Sequence, residues 1–183
     1  MIAEETHLKD CYLIKPKVFD DHRGYFFESF NANTFQEMTG LIINFVQDNE
    51  SKSSKGVLRG LHFQIGNNAQ SKLIRVVKGA VLDVCLDIRK GSPTFGQTFS
   101  VELNEGNKKQ LFVPKGFAHG FLVLKDDTII NYKCDNFYDK DSERSILYND
   151  KELNFDWGVP EGDIILSDKD KQAPTLAEYL NEK

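Results

Sequence analysis

The sequence predicts an all-β fold, an antiparallel β-barrel or double sheet with small terminal additions. Phe and Tyr occur 14 and 6 times among 183 residues, and aromatic residues favour strands. Apolar and polar residues alternate in several short segments, which is the strand periodicity. Turn-forming residues separate these segments about every ten residues, a spacing typical of sandwiches and barrels.

The clearest strand spans residues 81–88, where apolar side chains alternate with Asp83, Cys85 and Asp87. Two acids on one strand face indicate either water or a polar cavity. The further strand candidates span residues 72–77, 99–103, 110–113, 121–124 and 128–133.

Only two helices are expected, both short. One spans residues 33–38, with Asn33 as the N-cap and Gly40 as the C-terminal stop. The other spans residues 174–181, with Pro174 at or near its first turn.

The length and composition favour one domain over residues 1–183. The hydrophobic share of 40% and the charged share of 28% are ordinary for a folded globular chain. A net charge of -5 argues against extended nucleic-acid contact. Neither a membrane span nor a signal peptide is expected, because no long apolar run is present and the N-terminus is acidic.

The cysteines give little functional information. Cys11, Cys85 and Cys134 are odd in number and form no C-x-x-C pair. A disulfide framework or a zinc ribbon is therefore not expected, and a reducing cytoplasm is the simplest location.

Polar side chains interrupt an otherwise apolar strand over residues 56–64. His62 and Gln64 share one face of that strand, and Arg59 joins them only if Gly60 marks a bulge. A single histidine here would be a core residue, but other polar side chains accompany it.

Other predicted strands carry His119, Lys72 and Tyr132. Lys is rarely buried without a partner, and a Tyr inside a barrel needs one for its hydroxyl. Together with Arg59 and His62, these residues indicate a site inside the barrel rather than a plain core.

No catalytic metal is expected at this site. His62 and His119 supply two good ligands, which is too few for a zinc or iron centre, and residues 65–81 contain no Asp or Glu.

Proton chemistry is the alternative to a metal. A histidine base, a cation that stabilises an oxyanion and a tyrosine acid suit proton abstraction next to a ketone, which is isomerase or epimerase chemistry. An acid that orients His62 would assist it, and Asp83, Asp168 and Asp170 are all candidates.

Six motifs occur in order along nearly the whole chain, over residues 21–28, 46–51, 57–64, 87–96, 114–121 and 166–170. Together they resemble the dTDP-4-dehydrorhamnose 3,5-epimerase family. Two departures are mild: Phe63 stands where Tyr is common in the family, and Asp168 where Glu is common.

The resemblance implies a cupin-type jelly roll with short peripheral helices, a homodimer, and no metal or redox cofactor. It also implies inversion of dTDP-4-dehydro-6-deoxy-D-glucose at C3 and C5. The net charge and the lack of a long apolar run predict that neither a nucleic acid nor a membrane is a partner.

The resemblance also implies a role for each matching residue. His62 would be the base, Asp170 its orienting acid and Tyr132 the proton donor on the opposite face. Lys72 would stabilise the enolate at the C4 oxygen, and Phe26 and Tyr138 would stack on thymine. The implied substrate-binding residues are Arg23, Phe26, Glu28, Gln47, Asn49, Arg59, Lys72, His119, Tyr138, Glu143 and Lys169.

Other functions remain open at this point. A related enzyme could invert C3 or C5 alone, a ketoisomerase could use the same barrel, and a non-catalytic barrel could bind the nucleotide sugar. A metal-dependent cupin oxygenase is disfavoured by its missing ligands.

Overall fold

The computed structural model describes residues 1–153 and 155–181, and strands dominate these ranges. The strands are β1 (Ile2–Glu5), β2 (Tyr12–Lys15), β3 (Phe19–Asp21), β4 (Gly24–Phe26), β5 (Gln47–Ser53), β6 (Leu58–Gln64), β7 (Lys72–Lys78), β8 (Ala80–Asp87), β9 (Thr98–Asn104), β10 (Gln110–Val113), β11 (Phe117–Val123), β12 (Thr128–Cys134) and β13 (Glu143–Ser145). The α-helices are α1 (Ala32–Thr39), α2 (Asp168–Lys171) and α3 (Leu176–Asn181).

Two antiparallel sheets pack against each other. The six-stranded sheet has the order β1-β2-β10-β7-β12-β5, and the five-stranded sheet has the order β13-β6-β11-β8-β9. Strands β3 and β4 form a separate hairpin. From β6 onward the chain passes repeatedly between the two sheets, as in a jelly roll. The predicted all-β, cupin-type jelly roll with short peripheral helices is therefore confirmed.

The alternation in β8 builds two cores. Val81 and Cys85 are buried in one core cluster with strands of both sheets, whereas Val84 and Leu86 pack in a second cluster beneath the C-terminal segment. Asp83 lies on the Val81 and Cys85 side and is fully buried. The sequence predicted that the acids of this strand face either water or a polar cavity, and Asp83 faces the polar interior.

The prediction of Asn33 as the first helix's N-cap is wrong. Asn31 has that position, and its Oδ1 accepts a hydrogen bond from the Thr34 backbone N–H at 3.1 Å. Both asparagines suit a cap chemically, so composition alone did not separate them. The stop at Gly40 is confirmed, because this residue has φ 73° and donates its N–H to the Gln36 carbonyl.

The C-terminal helix begins two residues later than predicted. Thr175 and Glu178 form reciprocal side-chain to backbone hydrogen bonds of 2.8 and 3.2 Å, a capping box that leaves Pro174 outside the helix. The one-turn helix α2, which the sequence did not predict, precedes it. Within the described ranges, no helix combines the length and the apolar composition that a bilayer crossing requires.

Strand β6 has a bulge at Gly60, which is the condition under which the sequence groups Arg59 with His62. His62 lies opposite His119 and Arg59 lies opposite Phe121, so β6 advances three residues where β11 advances two. Gly60 has φ 131°, and a Cβ there would lie 2.4 Å from a backbone atom of β11. The extra residue brings Arg59 to the same cavity as His62.

We expect Gly60→Ala to lower the free energy of unfolding by at least ~3 kcal/mol, because it combines backbone strain with overpacking. Gly24→Ala is the matched control, since Gly24 has a similar φ of 127° and nothing within 4 Å of an added Cβ. Its expected cost is about 1 kcal/mol. Urea unfolding measures both values, and equal losses would contradict the steric cause.

Candidate active site

The polar strand residues converge on a cleft between the two sheets. Two adjoining cavities of about 430 and 300 Å³ share His62, Lys72 and Tyr132 in their walls. His62 belongs to the five-stranded sheet, whereas Lys72 and Tyr132 belong to the six-stranded sheet. The two sheets therefore contribute His62 and Tyr132 to different walls of the cleft.

His62 is paired with a carboxylate from the C-terminal segment. Its Nε2 donates to Asp170 Oδ1 at 2.5 Å, which leaves Nδ1 as the nitrogen that can take a proton. Ser167 Oγ donates to the other oxygen of Asp170 at 2.8 Å and also caps α2. Burial raises the pKa of Asp170, but hydrogen bonds from His62 and Ser167 outweigh it, so the net pKa is lowered.

The structure selects one of the three acids that the sequence left open. Asp170 is 3% exposed and contacts His62. Asp168 is 93% exposed and faces Lys171 at 3.6 Å. Asp83 contacts a different histidine, His119.

Lys72 and Tyr132 lie on neighbouring strands, β7 and β12. Burial lowers the pKa of Lys72, and nearby acidic groups, including Asp83 and Glu143, oppose this change. Burial also raises the pKa of Tyr132, while the charge of Arg59 partly offsets the increase. The Tyr132 phenol therefore keeps its proton at neutral pH.

A second histidine–carboxylate pair lies in the same sheet. His119 Nε2 donates to Asp83 Oδ1 at 2.9 Å, and the two residues are 7% and 0% exposed. His119 is directly opposite His62 in the β6–β11 ladder. The larger cavity thus has two adjacent imidazoles, each held by its own carboxylate.

The smaller cavity extends toward the loop after β12. Tyr138 Oη donates to Glu143 Oε2 at 3.1 Å, which raises the pKa of Tyr138, and Lys169 forms an ion pair with the same carboxylate. Gln47 and Asn49 on β5 are joined by a hydrogen bond of 3.0 Å. The side chains of Gln47, Asn49, Tyr138 and Glu143 line this cavity.

The larger cavity contains two further basic residues of the predicted set. Arg59 and Lys169 both line it, and Arg59 Nη2 donates to Ser53 Oγ at 3.3 Å. These cations lie at the mouth of a cleft whose interior also contains Lys72. An anionic group bound there would meet positive charge.

Gln64 has a structural role. It is 6% exposed, its amide nitrogen donates to two backbone carbonyls, and its oxygen accepts the Asp139 N–H at 2.7 Å. These bonds fix the loop that leads to Tyr138.

Over residues 1–153 and 155–181, no three His, Cys, Asp or Glu side chains are grouped as metal ligands.

The structure places three predicted binding residues away from this cleft. Arg23 and Phe26 line a separate groove of the β3–β4 hairpin, where Arg23 contacts Asp21 at 2.5 Å. Glu28 accepts a hydrogen bond from Asn31 at the start of α1. Their role in ligand binding remains a prediction.

Several residues that line the larger cavity were not predicted from the sequence. Ser167 follows the capping pattern Ser-x-x-Asp before a short helix, which was the available signal. The apolar wall residues carry no comparable signal. The additional residues lining the larger cavity are Ser51, Val57, Leu58, Phe121, Ile165, Leu166 and Ser167.

Comparison with known proteins gives consistent results. A family model described as dTDP-4-dehydrorhamnose 3,5-epimerase matches residues 5–178. The dTDP-4-dehydrorhamnose 3,5-epimerase of Salmonella typhimurium is 51% identical over 98% of both chains.

Solved structures support the same relationship. The dTDP-6-deoxy-D-glucose-3,5-epimerase of Legionella pneumophila, solved in complex with dTDP-4-keto-L-rhamnose, is 47% identical with a TM-score of 0.91, covering 96% of this chain and 92% of that one. A 3'-monoepimerase from Streptomyces bikiniensis, in complex with dTDP-quinovose, is 33% identical with a TM-score of 0.89, covering 97% and 89%. The family model and the near-complete alignment with the Salmonella relative establish that the chain belongs to the dTDP-4-dehydrorhamnose 3,5-epimerase family.

Proposed function

We propose that the protein is a dTDP-4-dehydrorhamnose 3,5-epimerase. It inverts C3 and C5 of dTDP-4-dehydro-6-deoxy-D-glucose to give dTDP-4-dehydro-L-rhamnose. The observation that carries this proposal is the arrangement of His62 with Asp170 on one wall of the cleft and Lys72 with Tyr132 on the other. We also propose that one domain, residues 1–183, holds this machinery.

His62 acts as the base. The C4 ketone acidifies the neighbouring C–H bonds, and His62 Nδ1 takes the proton while the electron pair moves to the C4 oxygen. Asp170 keeps the ring oriented through Nε2 and stabilises the imidazolium that forms. The low pKa of Asp170 keeps it negatively charged at neutral pH for this purpose.

Lys72 and Tyr132 complete the reaction. Lys72 stabilises the enolate, since a preorganised cation is most effective where charge develops. Tyr132 then donates its phenolic proton to carbon from the opposite face, which inverts the centre. His62 then releases its proton to solvent and Tyr132 takes one up, so that both are reset before the next carbon is treated in the same way. The proton transfers then balance without a change in oxidation state, so no cofactor is required.

The remaining residues bind the nucleotide sugar. Arg59, Lys169 and His119 hold the diphosphate and the sugar, while Gln47, Asn49, Glu143 and the exposed ring of Tyr138 hold the nucleoside.

The free thiols of the three cysteines among the described residues support a reducing compartment, and we place the reaction in the cytoplasm.

A single epimerisation is the second candidate function. It is favoured by the similarity to the Streptomyces bikiniensis 3'-monoepimerase, which has the same fold. The two candidates differ in how many carbons exchange protons with solvent.

Incubation with dTDP-4-dehydro-6-deoxyglucose in D₂O separates these functions. The proposal predicts deuterium at both C3 and C5 and the L-rhamno configuration in the product, read by NMR. Label at one carbon supports the monoepimerase, a moved carbonyl supports a ketoisomerase, and no label in the presence of binding supports a non-catalytic barrel.

We further propose that the protein is a homodimer and that the β3–β4 hairpin of one protomer reaches the cleft of its partner. This arrangement would reconcile the predicted binding roles of Arg23, Phe26 and Glu28 with their distance from the cleft. The hairpin is suited to contact, because Tyr25 and Phe26 are 55% and 70% exposed.

His62→Ala is expected to lower solvent-deuterium exchange at both carbons by at least ~10³-fold, because a positioned base contributes that much. His7→Ala is the control, since His7 is an exposed histidine bonded to a backbone carbonyl. NMR of the recovered sugar measures the exchange. Wild-type exchange in His62→Ala would exclude its role as the base.

Tyr132→Phe is expected to reduce inversion by at least ~10²-fold while reducing exchange by less than ~10-fold, because the base still removes the proton and returns a deuteron on the same face. The matched control is Tyr148→Phe, which removes a hydroxyl bonded to Glu161 outside the cleft. Configuration and label are read on one sample. Equal losses of inversion and exchange would argue against Tyr132 as the donor.

A complementation experiment tests the dimer. We expect Arg23→Ala combined with Phe26→Ala to raise KM at least ~10-fold, through loss of a charged contact and an aromatic one. Co-expression with His62→Ala should restore wild-type KM in about one cleft in four, because a mixed dimer has one intact cleft. Activity equal to the sum of the parent variants, or a monomer in sedimentation, would contradict the arrangement.

A further inference from the structure

Asp83 is a fully buried carboxylate beside the cleft, and the proton transfers described above give it no role. It lies on β8, which is flanked by β11 and β9 in the five-stranded sheet. A charge in such a position is costly unless it is paired. Any group that stabilises this charge must therefore lie within hydrogen-bond distance of one of its two oxygens.

The two carboxylate oxygens of Asp83 differ in their hydrogen bonding. Oδ1 accepts from His119 Nε2 at 2.9 Å. Oδ2 is buried and has no hydrogen-bond partner among the described residues. An unpartnered carboxylate oxygen does not favour folding, so stability alone gives no reason for an acid here.

The bond to Asp83 determines what His119 presents to a ligand. Because Nε2 is occupied, Nδ1 is the ring nitrogen that remains for a bound molecule. The backbone adds a second restraint, since His119 pairs with His62 on β6 and with Cys85 on β8. The backbone of His119 is therefore held from both sides of β11, and its ring is held by Asp83.

His119 belongs to the end of the cleft that would receive the sugar. The reacting residues His62, Lys72 and Tyr132 line both cavities, whereas His119 lines only the larger one, together with Asp170, the carboxylate that holds His62. Tyr138, the proposed thymine-stacking residue, lines the smaller cavity instead. A molecule that spans both cavities would bring its sugar to His119.

We propose that Asp83 is a positioning residue that fixes the His119 ring so that Nδ1 hydrogen-bonds a hydroxyl group of the bound sugar. The inference rests on the proposed function, because it takes the ligand to be a dTDP-sugar. Asp83 acts through His119 and does not itself touch the substrate.

Calorimetric binding of two ligands tests this role. Dissociation constants are measured for dTDP-6-deoxyglucose, which lacks the reactive ketone, and for dTDP, which lacks the sugar. Asp83→Asn is expected to weaken dTDP-6-deoxyglucose binding about 10-fold, the value of one lost hydrogen bond, and to leave dTDP binding unchanged. Wild-type affinity for both ligands, or an equal loss for both, would overturn the proposal.

A double-mutant cycle tests whether Asp83 acts through His119. We expect His119→Ala to weaken dTDP-6-deoxyglucose binding as Asp83→Asn does, and the double variant to bind no worse than His119→Ala. A further tenfold loss in the double variant would overturn the proposal, since Asp83 would then act elsewhere, for example through the charge of Lys72.

Asp87→Asn is the matched control, because Asp87 is the other fully buried carboxylate of β8. Its bonds to Arg89, Ser92 and Thr94 are structural. The control is expected to lower the melting temperature and to leave both dissociation constants unchanged. A selective loss of sugar affinity in this variant would overturn the specific role of Asp83.

A measurement on the unmodified protein covers the case in which Asp83→Asn does not fold. ¹⁵N NMR of the His119 ring is expected to show a proton on Nε2, and a ring protonated only on Nδ1 would overturn the proposal. Neither the calorimetry nor the NMR requires turnover. A failed epimerase assay would therefore be distinguishable from a failure of this inference.

Discussion

The hydrogen bond between His62 and Asp170 is the contact on which the site depends, because it joins two distant parts of the chain. His62 lies in the central part of β6, whereas Asp170 lies in a one-turn helix near the C-terminus. The segment before that helix is held alongside β6 by backbone hydrogen bonds of Ile165 with Gly56 and Leu58, at 2.8 and 2.9 Å. Asp170 can therefore orient His62 only when the C-terminal segment is docked.

The two-sheet architecture supplies the second requirement of an inverting enzyme. A base and an acid must approach one carbon from opposite sides, and a single strand or sheet face cannot provide both. Here the five-stranded sheet carries His62 and the six-stranded sheet carries Tyr132. Burial between the sheets also keeps Tyr132 protonated, because it raises the pKa of the phenol.

Charge is distributed unevenly in this molecule. The chain has a net charge of -5, yet Arg59, Lys72 and Lys169 line one cavity. A focused group of cations can bind one diphosphate while the negative surface disfavours extended polyanions. The net charge thus argues against extended polyanions as partners, whereas the cations in the cavity wall favour one small anionic ligand.

The local sequence pattern predicted much of this structure. The features that it did not predict depend on how distant segments of the chain pack together. The alternation in β8, the bulge at Gly60 and the grouping of His62, Lys72 and Tyr132 all follow from residue type and spacing. The sequence pattern could not choose Asp170 over Asp83, because that choice depends on where the C-terminal segment docks.

Two further misses also depend on contacts between distant parts of the molecule. Strand β5 was not predicted because its sequence, Gln-Asp-Asn-Glu-Ser-Lys-Ser, is polar throughout, and it forms at the sheet edge through pairing with β12. The groove of Arg23 and Phe26 lies apart from the cleft in one protomer, a placement that residue motifs do not encode.

The central claim is that the sugar ring lies between the two sheets, with the base and the acid on opposite faces. A crystal structure with dTDP-6-deoxyglucose bound tests it most directly. We expect His62 Nδ1 near C3 and C5 on one face of the sugar and Tyr132 Oη on the other. Both groups on the same face, or a sugar bound in the groove of the β3–β4 hairpin, would contradict it.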